Sequence, residues 1–92
     1  YTKAKGITII SSKSEEIKER IMNETGRGTT IIKGEGGFTG NEIDLLFCVV
    51  SKFEVTKVKT IVKETDSFAF LTISDVSEVL GEGFKALNNK NN

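Results

Sequence analysis

Histidine, proline and tryptophan are absent from this chain, and cysteine, methionine and tyrosine occur once each. Without histidine there is no imidazole to act as proton shuttle, triad base or metal ligand. One cysteine, Cys48, can neither close an intrachain disulfide nor build a tetrahedral thiolate cage, and it fits a reducing compartment. Charge of one sign is missing too: thirteen basic residues balance thirteen acidic ones. That balance gives no electrostatic footprint for nucleic acid, and few aromatic rings remain for stacking bases, so no nucleic-acid partner is expected. The longest apolar run, Leu45–Val50, is too short to cross a bilayer. The start, "YTKAKG", has no apolar segment of the signal-peptide kind behind it, and Tyr1 in the initiator's place reads as the start of a piece cut from a longer chain.

Ninety-two residues at 37% hydrophobic content suit one small domain, expected over residues 1–87, with the polar tail of residues 88–92 disordered. "GITIIS" at Gly6–Ser11 is short and rich in β-branched residues, which predicts a strand. Ser12 with Glu15 has the spacing of a capping box; Ile17, Ile21 and Met22 then share one helical face, and Gly26 stands where a left-handed cap ends a helix. Thr29–Lys33 reads as a second strand. Ile43–Ser51 reads as a third, apolar on both faces and so placed in the middle of a sheet. Ser51 with Glu54 is a second capping box, followed by the stripe Val55, Val58, Ile61 and Val62. Phe68–Ser74 predicts a fourth strand, after which Ser74 would cap a short helix carrying Val76, Val79 and Leu80 and closed by Gly81.

The order β-α-β-β-α-β predicts an α+β, ferredoxin-like sandwich: a four-stranded antiparallel sheet with two helices on one face, plus a short C-terminal helix. Its other face has no cover within the chain. Alternate residues of "ITII", "TTII", "LLFCVV" and "FAFLTI" fall there, so that face is expected to pack on another copy or another domain.

Chemistry concentrates weakly. Cys48 lies among hydrophobes, where burial makes a thiol inert, and core packing outweighs nucleophilic use. Glu35, Glu42 and Asp44 lack the spacing of an EF-hand, and no metal site is expected. Carboxylate pairs such as Glu15–Glu16 sit at a helix start, where the macrodipole favours them regardless of function. "KGEGGFTGNEID" at Lys33–Asp44 is the best candidate site and has three readings. It is a turn whose glycines take positive φ, an anion nest of backbone N–H groups, or a mobile signalling loop with Phe38 exposed. The turn outweighs the ligand loop on residues alone, and a P-loop is excluded because strand–GxxxxGK[ST]–helix is missing. "GEGF" at Gly81–Phe84 echoes "GEGGF" at Gly34–Phe38, so Gly81, Gly83 and Phe84 could meet the loop across a subunit interface.

From Thr25 to Phe84 the chain resembles the C-terminal domain of unknown function in YitT-type bacterial membrane proteins, through "GRG–T–I–KGEGG–TG", "CVVS–E" and "SDV–EVLGEGF". The resemblance implies a parent with an N-terminal bundle of transmembrane helices and this domain on the cytoplasmic side of the cell membrane. More distantly it is similar to PII-like (GlnB-like) signalling proteins, which share the strand order and form trimers that bury the open sheet face. Their long loop between the second and third strands senses nucleotides, and the "K-G-x-G" at its base matches Lys33, Gly34 and Gly36. The loop here is shorter and lacks the tyrosine those proteins modify.

The resulting expectation is a non-catalytic regulatory or ligand-sensing domain, a homo-oligomer (dimer or trimer) joined through its sheet. A small ligand, a nucleotide for instance, would touch Gly34, Gly36, Gly37, Phe38, Thr39 and Gly40, with Lys33 or Arg27 neutralising its charge. Two alternatives stand beside it: a structural oligomerisation module without a ligand, and an ACT-like amino-acid sensor.

Overall fold

The computed structural model describes residues 4–80. The elements are β1 (Ala4–Ile10), α1 (Ser14–Thr25), β2 (Thr30–Glu35), β3 (Glu42–Ser51), a turn of 3-10 helix (Lys52–Glu54), α2 (Val55–Thr65) and β4 (Phe70–Val76). The strands form one sheet in the order β2-β3-β1-β4, with every neighbouring pair antiparallel. This is the α+β, ferredoxin-like arrangement. The tail at 88–92 and the residues Gly81, Gly83 and Phe84 lie outside the described residues.

Side chains alternate along a strand, so the register sorts residues between the two faces of the sheet. On the helix side, Ile31, Leu46, Ile9 and Leu71 form one cross-sheet row and Cys48, Ile7 and Ile73 the next. Ile17 and Ile21 of α1 and Val58, Ile61 and Val62 of α2 close over these rows, and all five are buried with Ile7, Ile9, Leu46, Cys48 and Val50. Met22 is only half-buried. The helices are tied to one another at the surface: Glu24 receives Arg20 at 2.6 Å and Lys57 at 3.0 Å, and Arg20 reaches Glu64 at 3.1 Å. Those cations, Arg20 first, hold the Glu24 carboxyl down at about 2.

Local signals are honoured in part. Gly26 ends α1 with φ of 76° and gives its N–H to the Met22 carbonyl at 2.9 Å. Ser51 donates its N–H to Glu54 at 2.9 Å, the return half of the predicted box. The Ser12–Glu15 box does not form. Lys13 is the N-cap without a side-chain cap, and it is Ser11 whose hydroxyl accepts the Lys13 N–H at 2.9 Å.

The fourth strand also differs from expectation. Asp66 takes the Phe68 N–H at 3.0 Å on its side chain and the Ala69 N–H at 3.1 Å on its carbonyl, which folds residues 66–69 into a turn and delays β4 to Phe70. Ser74 is a strand residue opposite Gly6, because β1 offers partners out to Ala4, opposite Val76. The predicted short C-terminal helix is therefore absent over residues 74–80. Among the described residues no helix is long and apolar enough to cross a membrane.

Two substitutions test this packing by urea denaturation. Ile61→Ala should cost about 2–5 kcal/mol through loss of burial and the cavity left behind. Gly26→Ala meets no atom within 4 Å of its added Cβ, so its penalty should be the left-handed backbone alone, about 1–2 kcal/mol.

Candidate functional site

The glycine-rich connection is a tight turn. Gly36 gives its N–H to the Asn41 carbonyl at 2.8 Å, Gly40 gives its own to the Gly36 carbonyl at 2.8 Å, and Thr39 accepts the Asn41 N–H at 3.1 Å. Only Gly40 of these glycines takes a positive φ, 73°. Gly36 is needed for space: a Cβ there would lie 2.8 Å from the Thr39 hydroxyl. Gly34 belongs to β2, opposite Ile43. With the Gly36 amide committed inside the turn, the expected cradle of Gly36 and Gly37 amides loses one of its two donors. Phe38 is fully exposed at the tip.

Arg27 and Lys33 do not converge. Arg27 precedes β2 and donates its Nε to both Glu54 oxygens, at 3.0 and 3.2 Å. Lys33 lies near the other end of that strand, opposite Asp44, and its Nζ reaches the Asp44 carboxylate at 3.0 Å.

Beside Lys33 the structure opens a groove of about 750 Å³ at the end of the sheet, between the C-terminal end of β1, the start of α1, the start of β3 and the turn into β4. Three carboxylates line it, Glu42, Asp44 and Asp66. Asp44 is held by Lys33 and by the buried Ser14 hydroxyl at 3.3 Å. Asp66 is held by the Ser11 hydroxyl at 2.6 Å and by the Phe68 N–H. The Lys33 bond is the main cause that lowers the Asp44 pKa, and the Ser11 bond the main cause that lowers that of Asp66. Asp44 and Asp66 both stay ionised at neutral pH. The rim is aromatic, with Phe68 95% and Phe70 62% exposed. The groove thus offers hydroxyls, the Asn41 amide, three carboxylates, one ammonium and two phenyl faces, a set that fits binding a small polar ligand with a flat or apolar part. Cys48 stands apart from it in the core, where burial pushes its thiol up to about 11.

The motif Lys33–Asp44 supplies Lys33, Asn41, Glu42, Ile43 and Asp44 to the groove, although of these only Lys33 is expected from the sequence to meet a ligand. Ser11, Ser14, Asp66, Phe68 and Phe70 lie outside the motif, on separate elements. Cross-strand pairing of Lys33 with Asp44 was the signal that could have placed Asp44 there.

The second surface is the helix-free side of the sheet. Ile32, Leu45, Ile10 and Phe70 form a continuous row across all four strands. Below it run Thr30, Phe47, Thr8 and Thr72, then Val49, Gly6 and Ser74, then Ser51, Ala4 and Val76, with Gly34 and Ile43 at the turn end. None of these residues is charged, in a chain where 28% are. The Phe47 ring lies over Gly6, 3.6 Å from where a Cβ would stand.

Residues 27–81 match the family model described as "Uncharacterized protein conserved in bacteria (DUF2179)". The chain is 50% identical over 88 residues to the UPF0750 membrane protein YpjC of Bacillus subtilis, covering 96% of this chain and 30% of that protein. It is 33% identical over 73 residues to the UPF0750 membrane protein YitT of the same organism, covering 79% of this chain and 26% of that one. The chain thus spans about 30% of the length of such relatives. A crystal structure of a DUF2179 protein from Eubacterium ventriosum superposes with a TM-score of 0.68 at 31% identity, covering 77% of this chain and 97% of that one. A functionally unknown protein from Pediococcus pentosaceus shares the fold, with a TM-score of 0.75 at 14% identity over 88% of this chain and 99% of that one.

The carboxylates predict an acid-labile fold. Asp44, Asp66 and Glu24 have folded-state values below their unfolded ones. Their stabilisation is therefore complete above the ordinary carboxylate range, about 4, and is lost as pH falls through the folded values. Urea midpoints measured from pH 7 to pH 2 should hold steady and then drop below about pH 4.5. Lys33→Ala should shrink the Asp44 share of that drop, visible as an upward move of the Asp44 carboxyl titration by NMR.

Proposed function

The chain belongs to the DUF2179 family, and from that membership together with its bare sheet face we propose that it is a non-catalytic regulatory domain on the cytoplasmic side of a multi-pass bacterial membrane protein, self-associating through the open face of its sheet. The observation that carries this reading is the uncharged face with its Ile32–Leu45–Ile10–Phe70 row. Exposed apolar surface of that extent is unfavourable in water and favours a partner that covers it. The membrane placement draws on relatives that are named membrane proteins and are about three times as long.

A ligand-sensing role is favoured by the groove, which shares Ile10, Ile43 and Phe70 with the sheet face. A nucleotide or amino acid held against Phe68 and Lys33 would touch the same residues that a neighbouring copy covers, so occupancy and association would be linked.

Sedimentation velocity tests the first reading. Ile32 is 47% exposed on an edge strand, so Ile32→Lys should leave the circular dichroism unchanged and convert the assembly to smaller species. An unchanged sedimentation profile would remove the sheet face from the interface. Thermal unfolding against nucleotides and amino acids tests the second. A ligand at a hundred times its Kd should add about 2.7 kcal/mol of stability, a gain that Lys33→Ala should abolish. If no compound on the panel shifts the midpoint, the groove loses its sensing role and the assembly reading stands.

A further inference from the structure

The two edges of the sheet are guarded differently. β2, "TIIKGE", carries Lys33 and Glu35 and is weakened by Gly34 between them. β4, "FLTISDV", has no charge from Phe70 to Ser74, no proline and no bulge, and it pairs with β1 without interruption from Phe70 to Val76. It is the last strand of the sheet, and from Phe70 to Ser74 no further strand of the described residues lies on its outer side. The uncharged, regular run Phe70–Ser74 is a template for another strand, which native proteins ordinarily block with a charge or a break, and Asp75 alone places a charge at its end.

The ground beside this edge is prepared for side chains as well as for backbone. Between α2 and β4 lies a cleft of about 190 Å³ lined by the apolar Val62, Ala69 and Leu71, by Lys59 and Lys63, and by Asp66 and Ser67 of the turn. Both lysines are exposed, and neither makes an ion pair among the described residues. Ile73, on the helix side of β4, remains 38% exposed because no element of the described residues covers that flank. Asp75, on the same side two residues on, is 82% exposed although it pairs with Lys5.

We propose that β4 is the pairing edge for a second copy of this chain, antiparallel about a two-fold axis through Ile73, so that two sheets join into one. Two independent features select this register. Centring on Ile73 overlaps the whole of Phe70–Val76 with itself. It also sets Asp75 of each copy opposite Leu71 of the other, beside the lysine-flanked cleft. Identical strands related by a two-fold axis perpendicular to the sheet keep both helix layers on one side, so the Ile73 side chains meet on the helix face and bury each other. Backbone hydrogen bonds supply the association and the Asp75–Lys59/Lys63 contacts fix its register. This edge is separate from the open sheet face. A chain using both would build a larger assembly from two self-complementary contacts.

The test uses the full chain and reads register directly. Ile73→Cys places a thiol opposite its own copy at about 4.5–5.5 Å between Cα atoms, inside the span a disulfide needs. Mild oxidation should therefore give a covalent dimer, while Thr72→Cys, offset toward Ser74 of the other copy, should cross-link far less. Native Cys48 is buried and serves as the silent background. Charge reversal gives the second arm. Asp75→Lys should weaken the dimer at least about tenfold by sedimentation equilibrium, since like charges would then face each other. Combining it with Lys59→Glu and Lys63→Glu should restore the original Kd to within about threefold. Loss of folding cannot produce such a rescue. Ile32→Lys on the open face should leave the Ile73→Cys cross-link intact, which separates the edge from the face. Absence of the cross-link, equal cross-linking at 72 and 73, or failure of the charge reversal to rescue would each overturn the proposal.

Discussion

The structure depends on the register of one strand. β1 lies between β3 and β4 and pairs with both along its whole length, from Ala4 to Ile10. That double pairing fixes Ile7 and Ile9 under the helices and sends Thr8 and Ile10 to the other side. A slip of one residue would invert both sets and expose the isoleucines that the two helices close over. The same constraint extends outward through Leu46 and Cys48 to β2, and through Leu71 and Ile73 to β4. The charge-free face, the groove and the placement of Asp75 beside Lys5 are all consequences of where β1 sits.

Much of this was legible in the chain because period and caps are local. The 3.6-residue stripe Val58–Ile61–Val62 and the two-sided apolar run of β3 announce a helix and a central strand without help from distant residues. Gly26 is similarly self-explanatory, since the left-handed cap it adopts is a property of its own backbone. The failures came where one element borrows from another. Ser12 has the spacing of a cap, yet the Ser11 hydroxyl is recruited by Asp66, fifty-five residues along, and takes the Lys13 N–H in the same geometry. Ser74 looked like a helix start because serine caps helices, but the partner positions that β1 offers keep it in the ladder.

The candidate site divides along the same line. The glycine segment is conspicuous in the sequence, and most of what it does is build a turn. Gly36 leaves room for Thr39, and Gly40 takes the positive φ. The polar groups that the groove next to it holds in place come from four elements, each unremarkable alone: a serine after a strand, a serine inside a helix start, an aspartate opposite a lysine, an aspartate in a turn. Only the tertiary register brings Asp44 and Asp66 to one place, and no spacing along the chain encodes that proximity. Arg27 shows the converse. It is near Lys33 in sequence, yet it stands before β2 at Glu54 while Lys33 lies along the strand opposite Asp44.

Among the described residues the chain enters the sheet at Ala4 and leaves it at Val76, and these two residues face each other across neighbouring antiparallel strands. Force applied through both ends would therefore part β1 from β4 at one end and open the ladder a rung at a time, like a zip, rather than load all its hydrogen bonds together in shear. A pull between Ala4 and Val76 would therefore meet one pair of hydrogen bonds at a time. The groove and the glycine turn, at the far end of the same strands, would be the last parts to feel such a load.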